Sequence, residues 1–182
     1  MSEPLRWLAL GYSVPINPSK NRVYVWRKLK EYGAEYFKQG VAILPYNRAS
    51  YTRFRHLSGK INEMGGESSI VEMKFLDPRD EREMIARFRA QAVEELTALR
   101  DESFALLSQL TRAAAGPVSD QQAEEIKKII KRYSKARSRN HFALALAQDV
   151  ENSLYSIISA LRLSSESLAL QLTKAMEKAL KS

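Results

Sequence analysis

Cysteine is absent from the 182 residues. Its absence excludes disulfides, thiolate metal centres and thiol nucleophiles, and it fits a reducing cytoplasm. Histidine occurs only as His56 and His141. Neither has a second ligand three or four residues away, the spacing by which one helix presents a metal site. The acidic pairs Glu94–Glu95, Asp101–Glu102 and Glu124–Glu125 fall on helix faces expected to be exposed, so paired-carboxylate catalysis has no good candidate. A glycine-rich phosphate loop, a nucleophile elbow and a dinucleotide fingerprint are all missing. Long apolar runs are missing too. The opening "MSEPLRWLALGYSVP" holds only a few consecutive apolar residues with an acid before them, so it is expected to be neither a signal peptide nor a membrane span. These absences lead us to expect a cytoplasmic non-enzyme with no cofactor, no metal and no membrane partner.

Positive charge is abundant. The formal charge is 29 − 21 = +8, and it is unevenly spread. Residues 1–76 hold 12 basic and 6 acidic groups, residues 77–116 hold 6 and 8, residues 117–142 hold 7 and 3, and residues 143–182 hold 4 and 4. Two stretches therefore carry the field, at +6 and +4. Such a field attracts polyanions, small oxyanions or acidic partners. The alternative is ordinary solvated lysine and arginine.

A chain of this length makes one domain, or one domain with a helical appendage. "LRWLALGYSVP" reads as a buried strand ending at Pro15. In "NPSKNR", Ser19 is expected to cap a helix running from Asn21 to Tyr32. Val25, Trp26, Leu29 and Tyr32 form its apolar side, and Gly33 suits its end. Trp26 is thus expected in the core. "AEYFKQGVAILPY" reads as two strands turning tightly at Gln39–Gly40. From Ala49 to Met64, the stripe Phe54, Leu57, Ile61, Met64 predicts a helix stopped by Gly65–Gly66. "SSIVEMKFL" alternates as an edge or half-buried strand, closed by Asp77–Pro78.

This order predicts an α+β protein: a ferredoxin-like βαββαβ domain over 1–77, then a helical domain over 78–182. The sheet would carry helices on one face. Its other face would need cover from a partner chain or from the rest of this one. Helices are expected at about 80–115, 120–138 and 141–180. Gly116–Pro117 separates the first two, and Ser119 caps the second. The last segment carries a near-heptad seam from Phe142 through Val150, Leu154, Ile157 and Leu161 to Met176, with Ser165 standing where an apolar residue is due. One helix there would be roughly 60 Å long at 1.5 Å per residue, packing on the 80–115 helix or on a second copy of itself.

The candidate binding residues are basic. Lys20, Arg22, Arg27, Lys28 and Lys30 belong to the first helix, and Arg48, Arg53, Arg55 and Lys60 to the second. If both helices lie on one sheet face, their outer surfaces form a single platform for phosphate backbones, with Tyr24, Tyr51 and His56 interleaved. "NPSKNR" also offers a helix N-terminus with Ser19, Lys20 and Arg22 for a small oxyanion; a plain capped helix is the alternative. A second cationic run includes Lys127, Lys128, Lys131 and Arg132. It would contact nucleic acid or simply solubilise one face of a bundle.

Several stretches together resemble a known family. They are "WLALGYSVP", "NRVYVWRKLKEYGA", "QGVAILP" and "INEMGGESSIVEM", followed by "RFRAQAVEEL" and "IKKIIKRYSKARSRNHF". The ordered positions are Pro15, Arg22, Trp26, Arg27, Leu29, Lys30, Gly33, Gly40, Val41, Leu44, Pro45, Gly65 and Gly66. Over roughly residues 5–142 the chain resembles the N-terminal domain of the ChrB-type chromate-resistance proteins. The resemblance implies a cytoplasmic, chromate-responsive transcriptional regulator whose partners are DNA and a small oxyanion. The full-length family continues into a second domain, and the neutral segment 143–182 stands in its place here. A more distant similarity links the chain to the small ferredoxin-like nucleases of CRISPR adaptation. These carry an Asp at the end of the first strand, where this chain has Gly11, Tyr12 and Ser13. The similarity therefore implies a homodimer through the open sheet rather than a metal-dependent nuclease.

Overall fold

A computed structural model describes residues 5–112, 118–142 and 144–181. The protein is α+β and mostly helical, with six helices and one four-stranded antiparallel sheet among the described residues. The expected helix stop at Gly116–Pro117 lies outside the described residues. The chain divides into two compact units, Met1–Phe88 and Arg89–Ser182.

The first unit begins with β1 (Trp7–Ser13), α1 (Ser19–Tyr32), β2 (Glu35–Lys38), β3 (Val41–Pro45), α2 (Arg48–Glu63) and β4 (Glu67–Met73). Sheet order is β2-β3-β1-β4, so β4 is an edge strand, as its alternation predicts. Strand register sorts side chains by parity. Leu8 stands opposite Leu44 and Leu10 opposite Ala42, all of them buried. Val25 and Leu29 of α1 and Phe54, Leu57 and Ile61 of α2 complete this apolar core. Each such fully buried aliphatic side chain contributes about 1.5–3 kcal/mol. Gly33 ends α1 in the left-handed region, at φ 65°.

Trp7, Ala9 and Ile43 point to the other face, and this chain supplies their cover. The next helix, α3 (Pro78–Arg112), begins in the first unit. Its Phe88 ring lies 5.7 Å from that of Trp7, and Phe75 packs edge-on at 5.5 Å. Trp7 Nε1 donates to Glu81 at 2.8 Å, and Arg87 reaches Glu35 of β2 at 3.0 Å. Residues 78–88 belong with the sheet for this reason. Cover is incomplete, since Val71 on the same face is 54% exposed.

The second unit holds the rest of α3, then α4 (Asp120–Arg139), α5 (Ala145–Leu161) and α6 (Glu166–Lys181). Ser119 and Gln122 form a reciprocal capping box at the start of α4. The single helix expected over 141–180 is instead two. Ser165 and Ser164 turn back onto the Leu161 carbonyl at 2.8 and 3.1 Å, and Ser165 Oγ accepts from Leu168 N–H at 3.4 Å. The missing apolar residue in the stripe marks a helix start. Folding back lets Val150, Leu154, Ile157, Leu172 and Met176 meet Leu99 and Ile126 in one cluster. The seam is buried within this unit.

Candidate functional site

The sequences of α1 and α2 contain nine basic and two acidic residues. Their flanks differ. On α1, Val25, Leu29 and Tyr32 face the core. Helical geometry at 100° per residue then separates two sides. Lys28 and Tyr24 lie on the side near α2, where both act electrostatically on Tyr32 together with Arg53. The Arg53 guanidinium sits 5.8 Å from the Tyr32 ring centre, and burial pushes the Tyr32 phenol up. Lys28 is occupied by Glu31 at 2.8 Å, and Lys60 by Glu63 at 2.7 Å. Lys20, Arg27, Arg48 and Arg55 are exposed, and among the described residues none of these four has an ion-pair partner. Arg55 and Tyr51 also line a polar hollow of about 420 Å³ beside β4.

The opposite flank of α1 carries Ser19, Arg22, Val23 and Trp26, and it borders an open cleft of about 600 Å³. Tyr12 from β1 and Tyr36 from β2 line it as well, with Gln39 and Gly40 of the following turn. Gly40 adopts φ 74° there. The two phenols meet oxygen to oxygen at 3.1 Å. Burial, and then the Tyr36 hydrogen bond, push the Tyr12 phenol far above its ordinary value, so it stays a neutral donor and acceptor. Ser19 is the first residue of α1 and not its cap. Pro18 holds the cap position, without a side-chain bond. The first turn of α1 contains no acid.

Trp26 overturns its expected place. It is 47% exposed, and Lys30 Nζ lies 4.8 Å from its ring centre. A step of one residue from Val25 rotates it 100° off the core line, which is far enough to reach the cleft rim. Arg22 likewise parts from Arg27, so the α1 cations do not form one uniform platform. Tyr12 and Tyr36 were not foreseen as site residues. Tyr12 has the parity of Leu10 on β1, and Tyr36 stands opposite Ala42, itself opposite Leu10, so only sheet register reveals their common face.

The second basic run is paired in part within its own unit. Lys127 pairs with Glu124 at 2.8 Å, and Arg132 with Glu102 of α3 at 2.5 Å. Lys127 holds the Glu124 carboxyl below its usual range. Arg137 donates to the Leu180 carbonyl at 2.7 Å, and Arg139 pairs with Glu95 at 2.5 Å. Lys128 and Lys131 remain exposed. Among the described residues no group of three His, Asp or Glu side chains is placed to hold a metal ion, and no helix is long and apolar enough to cross a membrane.

A family model described as "Protein ChrB, N-terminal" matches residues 22–174. The chain belongs to this family. Membership ties it to chromate resistance, as the sequence resemblance implied. The match runs past residue 142 through α5 and into α6, so the neutral segment up to residue 174 is part of the family's own domain and not a replacement for another. No curated protein and no solved structure matches the chain.

Proposed function

We propose that this ChrB-family protein is a non-enzymatic, chromate-responsive transcriptional regulator that acts in the cytoplasm as a homodimer and grips DNA through α1 and α2. The observation that carries the reading is the charge of this helix pair. It has seven more basic than acidic residues, with Lys20, Arg27, Arg48 and Arg55 exposed. Phosphate contacts from such a surface dominate affinity through counterion release. The βαββαβ order and the sheet order β2-β3-β1-β4 support a ferredoxin-like assignment of the first unit. The exposed Val71 side of the sheet supports pairing with a second copy. The alternative reading is an oligomeric structural or interaction protein with an incidental basic face and no nucleic-acid binding; it would need the near-heptad seam for contacts between chains, and that seam is buried within one chain.

The test is fluorescence anisotropy on the full chain with a labelled duplex from its own upstream region. Binding is expected to weaken steeply with salt, and chromate is expected to release the duplex. Reversing Arg27, Arg48 and Arg55 to Glu is expected to flatten the slope of log affinity against log salt by about 3, at about 0.9 per phosphate contact. An unchanged slope in the reversed variant would remove this face from the reading.

A further inference from the structure

The cleft beside α1 has a composition that DNA binding does not use. Its volume is about 600 Å³, in the range of small-molecule sites. A tetrahedral oxyanion is the size of a few waters, at about 30 Å³ each, and would leave most of the cleft unfilled. Three aromatic rings border it, those of Tyr12, Trp26 and Tyr36, and Val23 adds an aliphatic wall. Trp26 and Val23 are 47% and 43% exposed, an unfavourable placement for large apolar side chains that a bound ring would relieve. Among the described lining residues Arg22 is the one cation and none is acidic; Lys30 lies over the Trp26 ring at the rim. Among the described residues Arg22 has no ion-pair partner, so its guanidinium fork is available to a carboxylate in two-point geometry.

We infer that this cleft is a binding site for a planar aromatic carboxylate, with the ring against Trp26 and the carboxylate on Arg22. The Tyr12–Tyr36 hydroxyl pair and Ser19 supply neutral hydrogen-bonding groups for a ring substituent. The site lies on the flank of α1 turned away from α2. Ligand binding and DNA binding therefore use different side chains, and either can fail without the other.

The experiment is calorimetric titration of the full-length protein, without DNA, with sodium 2-naphthoate as the probe. A one-to-one complex with a Kd below about 1 mM is expected. Arg22→Gln is expected to weaken it at least about tenfold, the loss of one charge-assisted pair. Val23→Trp, which fills the cleft and leaves the charge, is expected to abolish it. Both positions are solvent-facing, so both variants are expected to keep the wild-type thermal midpoint. In the unmodified protein, naphthoate is expected to shift the indole N–H resonance of Trp26 and leave that of buried Trp7 in place. Sodium sulfate at the same concentration is expected to leave naphthoate binding unchanged. The inference is overturned if both variants bind as wild type, if only the Trp7 signal moves, or if sulfate displaces naphthoate at equal concentration.

Discussion

Two tryptophans separate the tasks of single residues. Trp7 is fully buried, between Phe75 and Phe88, with its indole N–H on Glu81. Trp7→Ala is expected to cost about 3–5 kcal/mol. Trp26→Ala removes an exposed ring and one cation–π contact worth about 0.5–1 kcal/mol, so its unfolding midpoint in urea is expected to stay close to wild type. Equal losses at the two positions would contradict the burial described here. In the second unit, Tyr133 is buried and its hydroxyl donates to the Glu151 carboxylate. Burial and that bond raise the phenol's pKa. A raised folded-state pKa gives stability that is complete below the unfolded value, about 10, and is lost as pH climbs beyond it. Tyr133→Phe is expected to cost about 1–2 kcal/mol at neutral pH, and its deficit against wild type is expected to narrow above pH 10 in parallel urea titrations.

At the scale of elements, helix ends explain most of the agreement with expectation and most of the departures. The α1 end at Gly33 and the α4 start at Ser119 follow from local chemistry: a left-handed glycine and a side chain returning to the backbone. The α2 exit depends on contact as well. At Gly66 a Cβ atom would sit 2.4 Å from the Ser13 carbonyl oxygen and 2.8 Å from Ile61 Cγ2. Gly66→Ala must therefore push β1 and α2 apart. It is expected to cost about 1–3 kcal/mol, whereas an alanine at exposed Gly59, with open space around it, is expected to be neutral or slightly stabilising on the helix. Thermal melts of the two variants make the comparison. The α5–α6 break was visible as Ser165 in the wrong place of a stripe. The break itself rests on local bonds: the Leu161 carbonyl accepts from Ser164 and Ser165 N–H, and Ser165 Oγ accepts from Leu168 N–H.

For the whole molecule, charge is the property that the fold redistributes. By sequence, residues 117–142 contribute +4. In the structure Lys127, Arg132, Arg137 and Arg139 are bonded within their unit. That +4 already counts Glu124, so it is lowered by pairs with acids outside the stretch, such as Arg132 with Glu102 and Arg139 with Glu95, and the larger excess, seven basic over acidic residues, lies on α1 and α2. Glutamate substitutions at Lys128 and Lys131 are accordingly expected to change the salt slope of DNA binding less than the Arg27, Arg48, Arg55 reversal does.

The sequence by itself determined the elements and the core stripes of this protein. Periods of two and 3.6 residues, with glycine, proline and serine at the ends, are local rules that each segment obeys alone. It also determined the family, because an ordered set of residues survives without coordinates. The tertiary structure alone decided what covers the second face of the sheet, since Phe88 and Trp7 are far apart in the chain. It decided that the terminal seam folds back on itself, because a long helix would leave that seam in water. It decided, finally, that Trp26 and Arg22 border a cleft with Tyr12 and Tyr36. A 100° step around a helix and the register of three strands set that neighbourhood, and neither is written in any one segment.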